Sequence, residues 1–140
     1  MKILLAVDGS ECSLRAVNYL AKHFRRFGDD LKLTLLHVDV PFLQRVVTEL
    51  GQEIVAQLHK ENSEHALKGA RSKLKRAQIP YEEKTLVGDV GESIANLAQA
   101  GKYDMVIMGS HGRSAFSGLL MGSVTTKVIA HCSVPVLAVR

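Results

Sequence analysis

The residues whose types and spacing suit a chemical task are concentrated in one stretch, running from Gly109-Ser110-His111-Gly112-Arg113 to Gly122-Ser123-Val124-Thr125-Thr126. Glycine at the end of a strand lets the backbone turn without a Cβ penalty and lets a ligand approach the main chain closely. Gly109 and Gly112 provide this twice. Gly122 and Ser123 open a helical pattern, and the first free N–H groups and positive dipole end of a helix form a ready phosphate site. Ser123 adds a hydroxyl donor, and the forked guanidinium of Arg113 suits phosphate geometry. His111 can assist, with no catalytic role implied. The same glycines also make ordinary turns, and a serine such as Ser123 also caps a helix. Density weighs against that plainer reading, since four glycines and four serines fall between Gly109 and Ser123.

Two common nucleotide motifs are absent. No glycine is followed by Lys and Ser/Thr at the offset of a Walker loop, and Lys127 falls inside a helical pattern. The first strand runs into Asp8-Gly9-Ser10 rather than a G-x-G-x-x-G fingerprint. The remaining Asp and Glu residues show no paired arrangement for acid–base work. Cys12, His23 and His131 have no partner pattern that suggests a metal. Ser10 reads as the cap of the first helix. His37 reads as a satisfied interior histidine.

The elements that must position this stretch follow from periodicity. Near-continuous apolar runs at Lys2 to Val7 and Leu31 to Val38 read as buried parallel strands. Tyr81 to Val87 is more polar, as at a sheet edge. Met105 to Met108 and Val134 to Val139 complete five strands. Helical periodicity appears over Ser13 to Arg26, with Leu14, Val17, Leu20 and Ala21 on one stripe. It returns in a long segment from Leu43 to Gln78. There Leu43, Val46, Val47, Leu50, Ile54 and Leu58 continue one apolar face, and Leu67, Ala70, Leu74 and Ala77 form a second. Pro41 should delay that helix and Pro80 should stop it. Two shorter helices are expected, over Ser93 to Ala100 with Ile94, Leu97 and Ala98 inward, and over Gly122 to His131 with Val124, Val128 and Ile129 inward. Strict alternation of strand and helix gives parallel strands with right-handed crossovers, hence a three-layer α/β/α doubly wound sheet. Such sheets bind ligands at the carboxyl ends of strands where the winding reverses. Asp8 ends the first strand at that point, where its carboxylate can accept from ribose hydroxyls or an adenine amino group or favour the start of the first helix.

Gly109-x-x-Gly112, nine residues, then Gly122-Ser123 resembles the G-2x-G-9x-G-[ST] signature of ATP-binding universal stress proteins. The similarity runs the length of the chain through Ala-Val-Asp-Gly-Ser at 6 to 10, Leu-His-Val at 36 to 38, Gly-Asp-Val-Gly-Glu-Ser-Ile at 88 to 94 and Val-Pro-Val at 134 to 136. The resemblance implies a Rossmann-like fold of the adenine nucleotide alpha hydrolase type, with five parallel strands in the order 3-2-1-4-5. It implies that Asp8 lies beside the nucleoside, that Val38 offers main-chain groups to the adenine edge, and that Ala6, Val7 and Met108 form adjoining walls. Gly109, His111, Gly112, Arg113, Gly122, Ser123, Val124 and Thr125 would then surround the phosphates. ATP is the implied cofactor, with Mg2+ carried on the phosphates, and a homodimer through Val134 to Val139 is the implied assembly. The implied role is a nucleotide-responsive stress or regulatory module. The alternatives are a weak ATPase, a protein that phosphorylates itself at Ser114 or Ser117, and a nucleotide-independent interaction module.

Bulk properties bound the rest. A chain of 140 residues, 46% hydrophobic and 23% charged, matches one globular domain with a core of its own. No linker, internal repeat or low-complexity tract divides it. Its apolar runs fall far short of the ~20 residues of a membrane span. The start lacks a secretory pattern, so a cytoplasmic protein with two reduced cysteines is expected. The net charge of +4 favours an anionic partner. The basic clusters at Lys22 to Arg26 and Lys68 to Arg76 carry no interleaved aromatics, and Glu61 and Glu64 partly offset the second, so nucleic acid is not expected.

Overall fold

The computed structural model describes residues 1–28, 30–113 and 121–140. Five parallel strands, β1 (Lys2–Ala6), β2 (Lys32–Asp39), β3 (Glu82–Val87), β4 (Met105–Gly109) and β5 (Val136–Val139), form one sheet in the order β3-β2-β1-β4-β5. The helices between them are α1 (Glu11–His23), α2 (Gln44–Leu50), α3 (Gln52–Arg76), α4 (Val90–Ala100) and α5 (Ser123–His131).

The period-two alternation of the central strands sends side chains to opposite faces. Ile3, Leu5, Leu33, Leu35 and Ile107 meet Val17 and Leu20 of α1 and Leu67, Ala70 and Leu74 of α3. Leu4, Leu36, Val38, Val106 and Met108 meet Ile94 and Ala98 of α4 and Val128 of α5. Burying each of these large aliphatic side chains contributes about 1.5–3 kcal/mol, so both faces of the three central strands anchor helices. The expected three-layer sheet and strand order are therefore present. The winding reverses between β1 and β4, which places a crevice over their carboxyl ends.

The long helical segment differs from its expected form. Gly51, at φ 83° and ψ 157°, breaks it into α2 and α3. Such a backbone conformation is open to glycine and not to a helix. α2 buries no residue, and Leu43 before it, Leu50 at its end and Ile54 at the start of α3 are exposed rather than continuing a core face. The face that packs in α3 runs through Val55, Ser63, Ala66, Leu67, Ala70 and Leu74, and Ala77 is exposed at its C-cap. The first helix ends at His23 in a 3-10 turn over Phe24–Phe27. Ile129 is also exposed, as α5 presents only Thr125 and Val128 fully to the interior. β5 begins at Val136, two residues later than expected, and α4 begins three residues earlier, where Asp89 caps it through the Glu92 amide.

Candidate functional site

After β1 the chain leaves the sheet through Val7, Asp8 and Gly9. Gly9 has φ 80°, and a Cβ there would lie 3.1 Å from the Ala66 Cα, so this turn rests directly on α3. One carboxylate oxygen of Asp8 accepts from the Ser10 amide at 2.9 Å. The other faces Gly112, where a Cβ would come within 3.0 Å of it. Ser10 caps α1 by accepting from the Ser13 amide, as its type and position led one to expect.

The loop after β4 is stapled at its two ends. The Gly122 amide donates to the Ser110 carbonyl at 2.7 Å, and the Thr125 hydroxyl donates to the Gly109 carbonyl at 2.9 Å. The Ser110 amide in turn donates to Val139 at 2.7 Å, which anchors the loop to the end of β5. The Ser110 hydroxyl and His111 Nδ1 are 2.9 Å apart. Arg113 reaches across to β1, where its Nε–H donates to the Asp8 carbonyl at 2.8 Å. Gly122 is the N-cap of α5 and brings no side-chain acceptor, so the helix's opening amides face the cleft without one from their cap. A Cβ on Gly122 would lie 3.2 Å from the His111 Cα and 3.4 Å from the Ser110 carbonyl oxygen. The two ends of the loop pass each other at main-chain distance.

Cys12, in the first turn of α1, lies behind this loop. Its thiol donates to the Val139 carbonyl at 3.2 Å and lies 3.6 Å from the Ser110 hydroxyl. Burial alone would raise its pKa, but the hydrogen bonds of Ser110 and the neighbouring groups outweigh that and lower it. Both cysteines are free thiols.

On the β2 side, the Leu36 carbonyl accepts from the Val7 amide at 2.9 Å. Peptide groups alternate in direction along a strand, so those of Val38 point the same way, past the end of β1. His37 is only half satisfied: Nδ1–H donates to the Val7 carbonyl at 2.9 Å, whereas Nε2 is buried with no hydrogen-bond partner among the described residues. Asp39 follows, accepting from His59 Nδ1–H at 2.7 Å, from Asn62 at 3.0 Å and from the Val40 amide at 3.1 Å. Burial would raise its carboxyl, but these donors and the His59 charge hold it below the ordinary value.

The ends of β1, β2 and β4 and the start of α5 line one cleft of about 430 Å3, within the size range of small-molecule sites. Each residue expected at the site reaches it. Ala6, Val7 and Asp8 come from the end of β1, Val38 from β2, and Met108 and Gly109 from β4. His111, Gly112 and Arg113 follow β4, and Gly122, Ser123, Val124 and Thr125 begin α5. The sequence reading missed Ser13 on α1, Leu36, His37, Asp39 and Val40 at the β2 end, and Val90 and Ile94 on α4. Val90 and Ile94 lie in the Gly-Asp-Val-Gly-Glu-Ser-Ile segment, where Ile94 reads as plain core. Asp39 carries no local signal, because its partners His59 and Asn62 come from α3. Ser114 and Ser117 lie outside the described residues. Among the described residues no group of three His, Cys, Asp or Glu side chains could hold a metal, and no helix is long and apolar enough to cross a membrane.

The family profile of the universal stress proteins matches residues 1–140. The universal stress protein in the QAH/OAS sulfhydrylase 3′ region of Thermus aquaticus is 32% identical over 139 residues, covering 99% of this chain and 97% of its own. The solved structure of MJ0577, a universal stress protein of Methanocaldococcus jannaschii, superimposes with a TM-score of 0.77 at 30% identity, covering 99% of this chain and 94% of that one. A universal stress protein solved in complex with cAMP gives a TM-score of 0.74 at 25% identity, covering 100% of this chain and 97% of that one. With a cleft of this architecture and similarity from end to end, the chain belongs to the universal stress protein family.

Proposed function

We propose that the cleft binds ATP and that the chain acts in the cytoplasm as a nucleotide-responsive regulatory module. One observation carries this reading: the stapled ends of the loop between Gly109 and Thr125, where a Cβ on Gly112 or Gly122 would crowd Asp8 or His111 at 3.0–3.2 Å. Close-packed main chain at a helix start presents amides, and amides with a helix dipole suit phosphate oxygens. The donor set fits a nucleotide. The opening amides of α5 and the Ser123 hydroxyl receive the phosphates, and Arg113 supplies the positive charge. The outward peptide groups of Val38 read the edge of the base, Ala6, Val7 and Met108 pack its sides, and the fixed carboxylate of Asp8 accepts from the ribose. Mg2+ would travel on the phosphates, with no protein cage around it. The relative bound to cAMP supports an adenine ligand.

Binding rather than rapid turnover is the proposed role, because phosphoryl transfer needs an oriented nucleophile and added cationic stabilisation of the moving group. Here His111 Nδ1 is engaged by the Ser110 hydroxyl, and Arg113 is the one cation among the described residues that line the cleft. Two copies are proposed to pair through β5.

Calorimetry tests the reading. ATP binds the wild-type chain, and Gly122→Val weakens it at least about tenfold, or ~1.4 kcal/mol. ATP at a hundred times its Kd raises the unfolding free energy by about 2.7 kcal/mol. A melting temperature unmoved by ATP, ADP or AMP rejects the proposal and leaves a nucleotide-independent interaction module. Steady phosphate release dependent on Mg2+ and on Arg113 would replace it with a weak ATPase.

A further inference from the structure

The cleft's far wall is made by two helices. α4 contributes Val90 and Ile94, while α5 contributes the amide end at Ser123, Val124 and Thr125. Both pack on the same face of the sheet through Ile94, Ala98 and Val128. Their separation sets how far the amide end of α5 stands from the walls that would hold a nucleoside.

One residue bridges them beside the cleft. Lys127, a turn beyond Ser123, places Nζ 2.8 Å from Asp89 and 3.2 Å from Glu92. Asp89 is already committed to α4, since its other oxygen accepts from the Glu92 amide at 2.9 Å. A single carboxylate thus starts one helix and ties it to the next. Gly91 makes the bridge geometrically possible. A Cβ there would lie 2.9–3.0 Å from Cβ, Cγ and Cδ of Lys127, so the lysine stem runs across bare main chain. At the other end of the pair Gln99 bonds the His131 carbonyl and the Ser133 hydroxyl, which leaves Lys127 as the link nearest the site. The Glu92 amide and Lys127 hold Asp89 below its ordinary pKa, and Asp89 and Glu92 hold Lys127 above its own, consistent with a charged bridge at neutral pH.

We infer that Lys127, with Asp89 and the bare face of Gly91, is a positioning residue that sets the amide end of α5 for the phosphates. The inference rests on the nucleotide reading above. Because β1, β2, β4 and α4 supply the nucleoside walls, loosening α5 weakens the grip on phosphates while leaving the grip on adenosine. A bridge that served stability alone would change the melting temperature and leave the preference for ATP over adenosine untouched.

Calorimetry with ATP and with adenosine on the wild-type chain, K127M, K127R and G91A decides the matter. K127M keeps the stem and removes the charge, and G91A drives the stem away. Both are expected to lower ATP affinity about three- to fivefold while adenosine stays within about twofold, and K127R keeps its ATP affinity within about twofold of wild type. In the D89N background, where asparagine still caps α4, K127M should cost less than it does in the wild-type chain, since only the pairing of Lys127 with Glu92 remains to be lost. An unchanged ATP-to-adenosine ratio in K127M overturns the inference, whatever its melting temperature and whether or not G91A folds. A wild-type chain that binds neither compound overturns the nucleotide reading itself.

Discussion

Gly109 and Gly122 belong to one glycine pattern yet do different things, and the difference is one of distance. At Gly122 the φ of −73° and ψ of 159° suit any residue. What an added Cβ would meet there is the loop's own start, at 3.2–3.5 Å, so the neighbours can give by a few tenths of an ångström. At Gly109 a Cβ would lie 2.8 Å from the Cys12 carbonyl carbon and from the Ser13 amide nitrogen, both main-chain atoms of α1. Nothing there can move without shifting the helix against the sheet. Overpacking of this kind costs about 1–3 kcal/mol. Gly109→Ala is therefore expected to lower the melting temperature by roughly 3–10 °C. Gly122→Ala is expected to melt close to wild type and to lose ATP affinity. Thermal melts of the two alanine variants, run beside ATP titrations, separate fold from site. Equal losses of stability in both would refute the distinction. From spacing alone the two glycines look equivalent, because the α1 backbone that confines Gly109 is almost a hundred residues away in the chain.

At the scale of elements, what can be read from the chain is what repeats within it. The strands and α1 announce themselves by apolar period, and the start of α5 by the glycine and serine before it. The join between β2 and α3 has no such signature. Asp39, at the end of β2, is held by His59 and Asn62 of α3, and the Phe42 ring packs at a tilt against His59 with centroids 4.8 Å apart. This contact fixes the turn that carries Val40 to the rim of the cleft. Its pH dependence follows from the lowered carboxyl of Asp39. A carboxyl whose folded pKa is depressed contributes stability above its unfolded value and loses it as pH falls through the folded one. The contribution is therefore complete at neutral pH and fades below the ordinary value of 3.8. Replacing a partly buried, charge-assisted acceptor costs about 1–2 kcal/mol. Asp39→Asn is expected to destabilise the chain by that amount at pH 7, with the gap to wild type closing under acid. A gap constant from pH 7 to pH 3 in urea unfolding would assign the loss to packing and not to charge. The same element holds the clearest departure from periodicity. The apolar face expected to continue from Leu43 to Leu58 is cut at Gly51, and a period cannot report one glycine's backbone angle.

The two edges of the sheet are chemically unequal, and the dimer proposed through β5 draws on that difference. β3 is exposed along its length and carries Glu82, Glu83 and Lys84, with Glu83 engaged by Arg71 of α3. Charge of this kind protects an edge against pairing. β5 reads Val-Leu-Ala-Val, is half-buried throughout and has no charged side chain. Strand alternation and the family resemblance made both edges legible in the sequence. Which peptide groups remain open is visible only in the register. The Val106 amide donates to Pro135 and the Ser110 amide to Val139, so the odd-numbered residues of β5 turn their peptide groups to β4. Those of Val136 and Ala138 point outward, along an apolar edge. In the dimer proposed above, a second copy related by a two-fold axis would satisfy them with an antiparallel ladder. Ala138→Pro removes an outward N–H and leaves the β4 ladder intact, a substitution that an edge strand tolerates. Light scattering at micromolar concentration should give a dimer for the wild-type chain and a monomer for Ala138→Pro. Because the Val139 carbonyl also receives the Ser110 amide and the Cys12 thiol, the same edge touches the start of the loop after β4 from behind. ATP is accordingly expected to shift the monomer–dimer equilibrium of the wild-type chain, and a dimer that persists unchanged in Ala138→Pro would place the interface elsewhere.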